Sequence, residues 1–355
     1  MRKELLNRNL PSLLSKEEMV DILQREEYGY LPSVDFEVSV SDPIHVYGEY
    51  QLGNVEHSYV TMKIKTANGS HSFRLDRLLH RDGKKRPLIV FNNFHPIYAS
   101  RYFPIEEITE KEVDILSCVY TDVTSDDGDF TNGIAPLLLP NGRITDTSCG
   151  KIMMWAWTNM RILEYGLTLP TTDAENIGIA GHSRLGKTAL VTGMLDSRFK
   201  FIYSNAAGCA GDALSKGNLG HGKGPNRENR GELISDIYQM FPYWFCKNFE
   251  KYTDKNYSDE FDQHFLLATI APRYVLLGVC SHDLWADPYS QQLSLLAASE
   301  RWKEMGLDAF NAEKPLVAGE EDLNTHTGCF VLNSRHYLSR HGWQRFIKFI
   351  ENHKD

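Results

Sequence analysis

A serine, an arginine and a lysine crowd one short stretch of this 355-residue chain. The string Asn176-Ile-Gly-Ile-Ala-Gly181-His-Ser183-Arg-Leu-Gly186-Lys187-Thr-Ala-Leu190 reads as an apolar strand, a glycine-flanked turn carrying Ser183, and a helix beginning near Arg184. A serine at the tip of such a turn exposes its hydroxyl, and the first helical amides point toward any negative charge that develops there. Those are the requirements of a nucleophile in acyl transfer.

The same letters fit a second chemistry. Gly181 to Thr188 matches G-x-x-x-x-G-K-[ST], the phosphate-cradling loop of NTPases, whereas the nucleophile elbow G-x-S-x-G is met imperfectly because Leu185 stands where its second glycine belongs. Chain order separates the two. An elbow needs an acid after a later strand and then a histidine near the C-terminus. Asp283 follows the apolar run Tyr274 to Cys280, and His336 precedes the last helical segment, so Ser183, Asp283 and His336 stand in the required order. His336 would take the hydroxyl proton while Asp283 fixes the imidazole tautomer. Asp287 and His326 are the rivals for the acid and the base, and Asp287, before Pro288, also suits a helix cap. A phosphate loop usually follows the first strand of its domain with an acidic partner for magnesium, and here the turn follows several strands.

The elements that must position these residues alternate along the chain. Ser15-Lys-Glu-Glu18 is a capping box opening a helix that runs to about Tyr28, within an N-terminal helical arm over 1–34. Period-two runs at Phe36 to Val40, His57 to Lys65 and Ser70 to Leu75, with Asn68-Gly69 as a hairpin turn, predict an antiparallel meander. From Pro87 the strands become continuous apolar runs, Pro87 to Phe91, Val113 to Tyr120, Phe201 to Asn205 and Tyr274 to Cys280, as expected of strands covered on both faces. Thr121 to Gly150 reads as a surface excursion and Ile152 to Leu167 as an apolar helix. A helix is expected over Ser290 to Met305, a last short strand at Pro315 to Ala318, and a closing helix over Ser339 to Asn352. Residues 208–262, long and glycine-rich before the aromatic Phe241-Pro-Tyr-Trp-Phe245, suggest an inserted cap. The fold class is therefore α/β: one domain over 1–355, a mostly parallel doubly wound sheet with an antiparallel meander at its front.

Composition removes several functions. With 38 basic against 47 acidic residues, net charge −9, and no dense Lys/Arg run, a nucleic-acid or anionic-membrane surface is not expected. The six cysteines lie without C-x-x-C or C/H spacing, so no metal or redox pair is suggested and no cofactor is called for. No apolar run approaches the roughly 18 residues of a bilayer span, and the N-terminus lacks a continuous apolar core for a signal peptide, so a cytoplasmic location is expected unless a leader was trimmed.

Gly181-His-Ser-Arg-Leu-Gly-Lys-Thr-Ala189 resembles the G-C-S-R-x-G-K-x-A motif of the glucuronoyl esterases, serine α/β-hydrolases that cleave esters of glucuronic acid in plant hemicellulose. Trp155-Ala-Trp157, Gly231-Glu232, Phe241 to Phe245, Asp262-Gln-His264, Ala271-Pro-Arg273, Asp283-Leu-Trp-Ala-Asp-Pro288 and Ala297-Ala-Ser299 agree in order, so the resemblance covers about Gly150 to Trp343. It implies an α/β-hydrolase with Ser183 as nucleophile, Arg184 in the oxyanion hole, Lys187 binding sugar hydroxyls and Trp285 lining the sugar pocket. It implies a small-molecule or oligosaccharide ester as partner, glucuronoyl esters first and acetylated sugars second. Two stretches depart from the family pattern. Ser204-Asn-Ala-Ala-Gly208 offers no acid where many members carry a glutamate, which leaves the role to Asp283, and Ser334-Arg-His-Tyr337 replaces the usual Gly-Gly-His-Asp.

Overall fold

Alternation along single strands explains how the sheet comes to be covered on both sides. In the strand Arg86–Asn93, Leu88 and Val90 pack into one core, and Ile89 and Phe91 into a second. Strand Tyr274–Cys280 repeats the division, with Val275, Leu277 and Val279 on the first side and Leu276 on the second. Helices Lys151–Gly166, Arg184–Leu195 and Pro288–Ala298 bury their apolar residues in the first core, and helix Arg340–His353 supplies Trp343, Phe346 and Ile350 to the second. A strand with an apolar side chain at every position gains about 25 cal/mol per Å² of buried surface on each face only between two such layers.

The computed structural model describes residues 1–50, 53–218 and 231–354. Among them eleven strands form one sheet. They are β1 (Phe36–Val40), β2 (Ile44–Tyr50), β3 (Val55–Thr66), β4 (Gly69–His80), β5 (Arg86–Asn93), β6 (Asp114–Val119), β7 (Thr172–His182), β8 (Phe201–Asn205), β9 (Tyr274–Cys280), β10 (Glu321–Asp322) and β11 (Thr327–Leu332). Their order is β1-β3-β4-β6-β5-β7-β8-β9-β11-β10, with β2 also on β3. Strands β6, β5, β7, β8, β9 and β11 are mutually parallel, while β1 to β4 form the antiparallel front. This is the doubly wound sheet with a leading meander that the sequence predicts, in the α/β-hydrolase manner. No helix among the described residues is long and apolar enough to cross a membrane.

Several elements differ from expectation. The meander contains β2, which the sequence reading passes over. In the β3–β4 hairpin Thr66 pairs with Gly69, so the turn residues are Ala67 and Asn68, one position before the expected Asn68-Gly69. The buried Met62 and Ile64 of β3 and Phe73 and Leu75 of β4 hold that register, because a one-residue slip of either strand would turn its own pair toward solvent. Pro315 to Ala318 is not a strand. Its Leu316 amide donates to Gln292 Oε1 at 2.7 Å and its carbonyl accepts from Gln292 Nε2 at 3.2 Å, so a side chain takes the bonds that a neighbouring strand would take. The last parallel strand is Thr327–Leu332. The helix expected over Ser290 to Met305 begins at Pro288 and breaks at Ser299, whose hydroxyl bonds back to the Leu295 carbonyl at 2.7 Å.

The Ser15 capping box is present, and its helix Lys16–Leu23 widens into the turn Gln24–Tyr28, which buries Glu27 and Tyr28. The expected surface excursion Thr121 to Gly150 is partly interior, with Val123, Thr124, Ile134, Leu137 and Leu138 buried. Of the expected cap over 208–262, residues 219–230 lie outside the described residues.

Candidate active site

Ser183 stands where β7 ends and a helix begins, and the turn is tight enough to force the backbone. Ser183 has φ 58° and ψ −127°, a conformation that L residues rarely hold. Its amide donates to the Asn205 carbonyl at 2.9 Å, and its own carbonyl accepts from Gly186 and Lys187. Gly181 makes the turn possible, since a Cβ there would lie 1.9 Å from the Leu185 carbonyl oxygen. The second glycine of the simple elbow pattern is not needed at Leu185, which is buried in the core. Gly186 serves instead, because a Cβ there would press on the Ser204 hydroxyl at 3.1 Å and the Ala207 methyl at 3.2 Å. The helix Arg184–Leu195 starts at the next residue, so the amides of Arg184 and Leu185, directly after Ser183, have no intrahelical acceptor.

The acid and base arrive from two neighbouring parallel strands. Leu332 of β11 pairs with Cys280 of β9, so the loops that follow leave the sheet side by side. They are stitched together by Ser281 N to Leu332 O at 2.9 Å and His282 N to Ser334 O at 3.0 Å. Three residues past Cys280 and four past Leu332, His336 Nδ1 meets Asp283 Oδ2 at 2.5 Å. Asp283 is buried, while the imidazole side chain is 41% exposed. With Nδ1 engaged by the carboxylate, Nε2 is the nitrogen left to exchange a proton with a hydroxyl.

Ser183, Asp283 and His336 line one cavity of ≈ 380 Å³ together with Arg184, Lys187, Glu232, Phe241, Trp244 and Trp285. All six residues singled out from the sequence are therefore brought together. The rivals are placed elsewhere. Asp287 caps helix Pro288–Ala298, accepting from the Ser290 amide at 3.0 Å. His326 precedes β11, at the opposite end of the parallel strands, stacked on Tyr274. His182, next to the serine, is buried with its ring centroid 4.5 Å from that of His336. Burial first, and then the neighbouring His336, push its pKa well below the usual histidine range, so it stays neutral. His264 bonds the Pro11 carbonyl of the N-terminal arm at 3.0 Å.

Lys187 is buried, and its ammonium donates to the carbonyls of Ala207 and Cys209. Those carbonyls belong to a loop with three residues in the left-handed region, Ala206, Gly208 and Ala210. Asp212 fastens that loop, accepting from Gly208 N at 2.7 Å, Ser204 Oγ at 2.8 Å and Gln291 Nε2 at 2.8 Å. Two of the three Lys187 N–H donors are spent on these backbone carbonyls, which leaves one for a ligand in the cavity.

Two residues of the site escape a reading by chain order. Glu232 enters the cavity with its amide bonded to the Trp285 carbonyl at 2.8 Å and its carboxylate bonded by the Trp285 side chain. Burial raises its pKa to about 7 against the opposing pull of Lys187 and the Trp285 bond. The matching pair Gly231-Glu232 was its only signal in the sequence. Asp126, from the excursion, binds Arg184 in an ion pair. Nothing about its surroundings in the sequence marks it.

A family model described as glucuronyl esterase, fungi, matches residues 144–306. A carbohydrate esterase from an unknown prokaryotic organism is 33% identical over 204 residues, 58% of this chain and 44% of that one. The 4-O-methyl-glucuronoyl methylesterase of Podospora anserina is 26% identical over 302 residues, 82% of this chain and 56% of that one. The chain thus spans about half the length of the curated relatives it matches. Among solved structures, a glucuronoyl esterase from Solibacter usitatus superposes with a TM-score of 0.84 at 22% identity, over 98% of both chains, a likeness of fold.

Proposed function

We propose, from the premise that this chain is a relative of the glucuronoyl esterases, that it hydrolyses a uronic-acid ester of a carbohydrate through an acyl-enzyme on Ser183. The observation that carries the reading is the convergence, in one cavity, of a serine on a strained strand-to-helix turn with a histidine bonded to a buried aspartate.

The chemistry follows from the geometry. Ser183 Oγ attacks the ester carbonyl carbon as His336 Nε2 takes its proton, and Asp283 stabilises the imidazolium. The carbonyl oxygen becomes an oxyanion next to the Arg184 guanidinium and the free amides of the helix start. Collapse breaks the bond to the alcohol oxygen, which leaves with the proton from His336. Water then surrenders a proton to the same nitrogen, attacks the acyl-serine and releases the free acid, returning the proton to Ser183. Lys187, Glu232 and Trp285 offer a cation, a carboxylate and a ring to the sugar that carries the ester, a set suited to hydroxyls and a pyranose face. The names of the relatives support a 4-O-methyl-glucuronoyl ester as the acyl part.

A panel of glucuronate methyl and benzyl esters, acetylated xylo-oligosaccharides and nitrophenyl acetate tests the assignment. The glucuronate esters are expected to give the largest kcat/KM. In Ser183→Ala, turnover should fall by about 10⁴-fold or more with the thermal midpoint retained. A Ser183→Ala variant that still turns over the benzyl ester defeats the mechanism, and preference for the acetyl esters moves the substrate class.

A further inference from the structure

The arginine beside the nucleophile is held by a carboxylate that comes from neither the sheet nor the serine helix. Asp126 lies in the segment between β6 and helix Lys151–Gly166. Its Oδ2 accepts from Arg184 Nη1 and, at 2.8 Å, from the Tyr120 hydroxyl. Its Oδ1 accepts from Trp244 Nε1 at 2.7 Å, and its backbone carbonyl accepts from the Tyr243 hydroxyl at 2.9 Å. The Asp126 side chain is 10% exposed. The guanidinium carbon of Arg184 lies 4.6 Å from the Trp244 ring centroid and 5.2 Å from that of Phe241, and these two rings stack at 3.9 Å with planes 3° apart.

Free arginine side chains carry about 2 kcal/mol of rotamer entropy, so a guanidinium stabilises a short-lived oxyanion only when it is held in place beforehand. A carboxylate beside it also works against that stabilisation by drawing on its positive charge. The arrangement limits this cost. Asp126 divides its two oxygens among three donors, so Trp244 and Tyr120 take up part of its negative charge. A guanidinium has five N–H donors, and the buried Arg184 Nε has no hydrogen-bond partner among the described residues. A buried N–H without an acceptor is costly in the resting protein, and an oxygen arriving with the substrate relieves that cost. We infer that Asp126 is a positioning residue of the hydrolytic reaction, locking Arg184 and Trp244 into one clamp that aims the guanidinium at the oxygen carried on the Ser183 adduct.

The inference rests on the serine-esterase reading, and two independent readouts keep them apart. In the full chain, Asp126→Asn, Arg184→Gln and the double variant are compared by hydrolysis of glucuronate benzyl ester and by the rate at which a fluorophosphonate labels Ser183. The label's phosphoryl oxygen occupies the same oxyanion position but needs no sugar contact. Asp126→Asn is expected to lower kcat and the labelling rate roughly 10- to 100-fold, with KM within about threefold of wild type. In the Arg184→Gln background the same change should cost less than about twofold, because a residue that acts through another loses its effect with that partner. An undiminished effect in that background, a normal kcat, or a loss confined to KM overturns the proposal. Where Asp126→Asn does not fold, Asp126→Glu keeps the charge and displaces it: a kcat at least about fivefold lower at unchanged KM supports the clamp, and wild-type kcat overturns it. Labelling without hydrolysis of any uronate ester defeats the substrate reading alone and leaves the clamp measurable by labelling. If wild-type Ser183 takes no label, both fall together.

Discussion

Glu232 shows how one buried side chain ties the site to pH. Its carboxyl sits in the sugar-sized cavity with Lys187 and Trp285, and burial holds its pKa at about 7, so it changes charge in the working range. As a carboxylate it accepts from hydroxyls at both oxygens, and as a neutral acid it becomes in part a donor. The expected result is a KM for glucuronate methyl ester that rises as pH falls from 8 to 6. Glu232→Gln should flatten that rise and lower kcat/KM at pH 8 by roughly tenfold, the scale of one hydrogen bond to a charged group. A rise that persists unchanged in Glu232→Gln assigns the titration to another group. Ser183 and Lys187 announce themselves through a local motif, whereas Asp126 acts from 58 residues away and has no motif of its own.

Among the elements, the strand-to-helix turn carries the strictest local constraint. Gly181 lies against the Leu185 carbonyl, and backbone meeting backbone has no flexible atom to give way. Gly181→Ala is therefore expected to destabilise the protein by about 3 kcal/mol or more, at the upper end of overpacking, with nucleophilicity toward a fluorophosphonate lost in whatever folds. Denaturant unfolding measures it, and a variant within about 1 kcal/mol of wild type would show that the turn relaxes. Elements were legible where pattern and length agree. β8 is Phe201–Asn205 as its apolar run suggests, and the closing helix begins at the Ser339 cap. They were illegible where a partner decides. Pro315 to Ala318 has a strand's composition, yet Gln292 occupies its backbone groups, and the short Thr327–Leu332 becomes a strand because β9 lies beside it.

Across the whole molecule, the interior holds several carboxyls whose ionisation opposes folding. Glu27 is fully buried against Gln263, and burial raises its pKa from an ordinary 4.5 to about 8. Glu232 is raised in the same direction, to about 7. Each folded pKa lies above the unfolded one, so the folded state retains protons that the unfolded chain releases. Their contribution to stability is fully present below about pH 4.5 and is lost as pH rises through 7 to 8, with a slope of at most about 1.4 kcal/mol per pH unit for each group. Glu27→Gln should reduce the fall in unfolding free energy between pH 5 and 8. An unchanged slope would mean that Glu27 is already ionised in the folded protein. The N-terminal arm is part of the same interior, through Arg8 bonded to Ser290 and the Pro11 carbonyl bonded to His264.

The sequence by itself determined the serine turn, the order of Asp283 and His336 behind it, and the change from an antiparallel meander to a parallel sheet. Each of these rests on neighbours in the chain or on the period of apolar residues. Only the tertiary structure decided that Asp283 and His336 meet, because the parallel register of β9 and β11 sets their two loops together. It also decided that Lys187 is anchored by the loop behind β8, and that Asp126 grips Arg184. Those contacts join residues far apart in the chain, and burial gives them their strength, which no local pattern encodes.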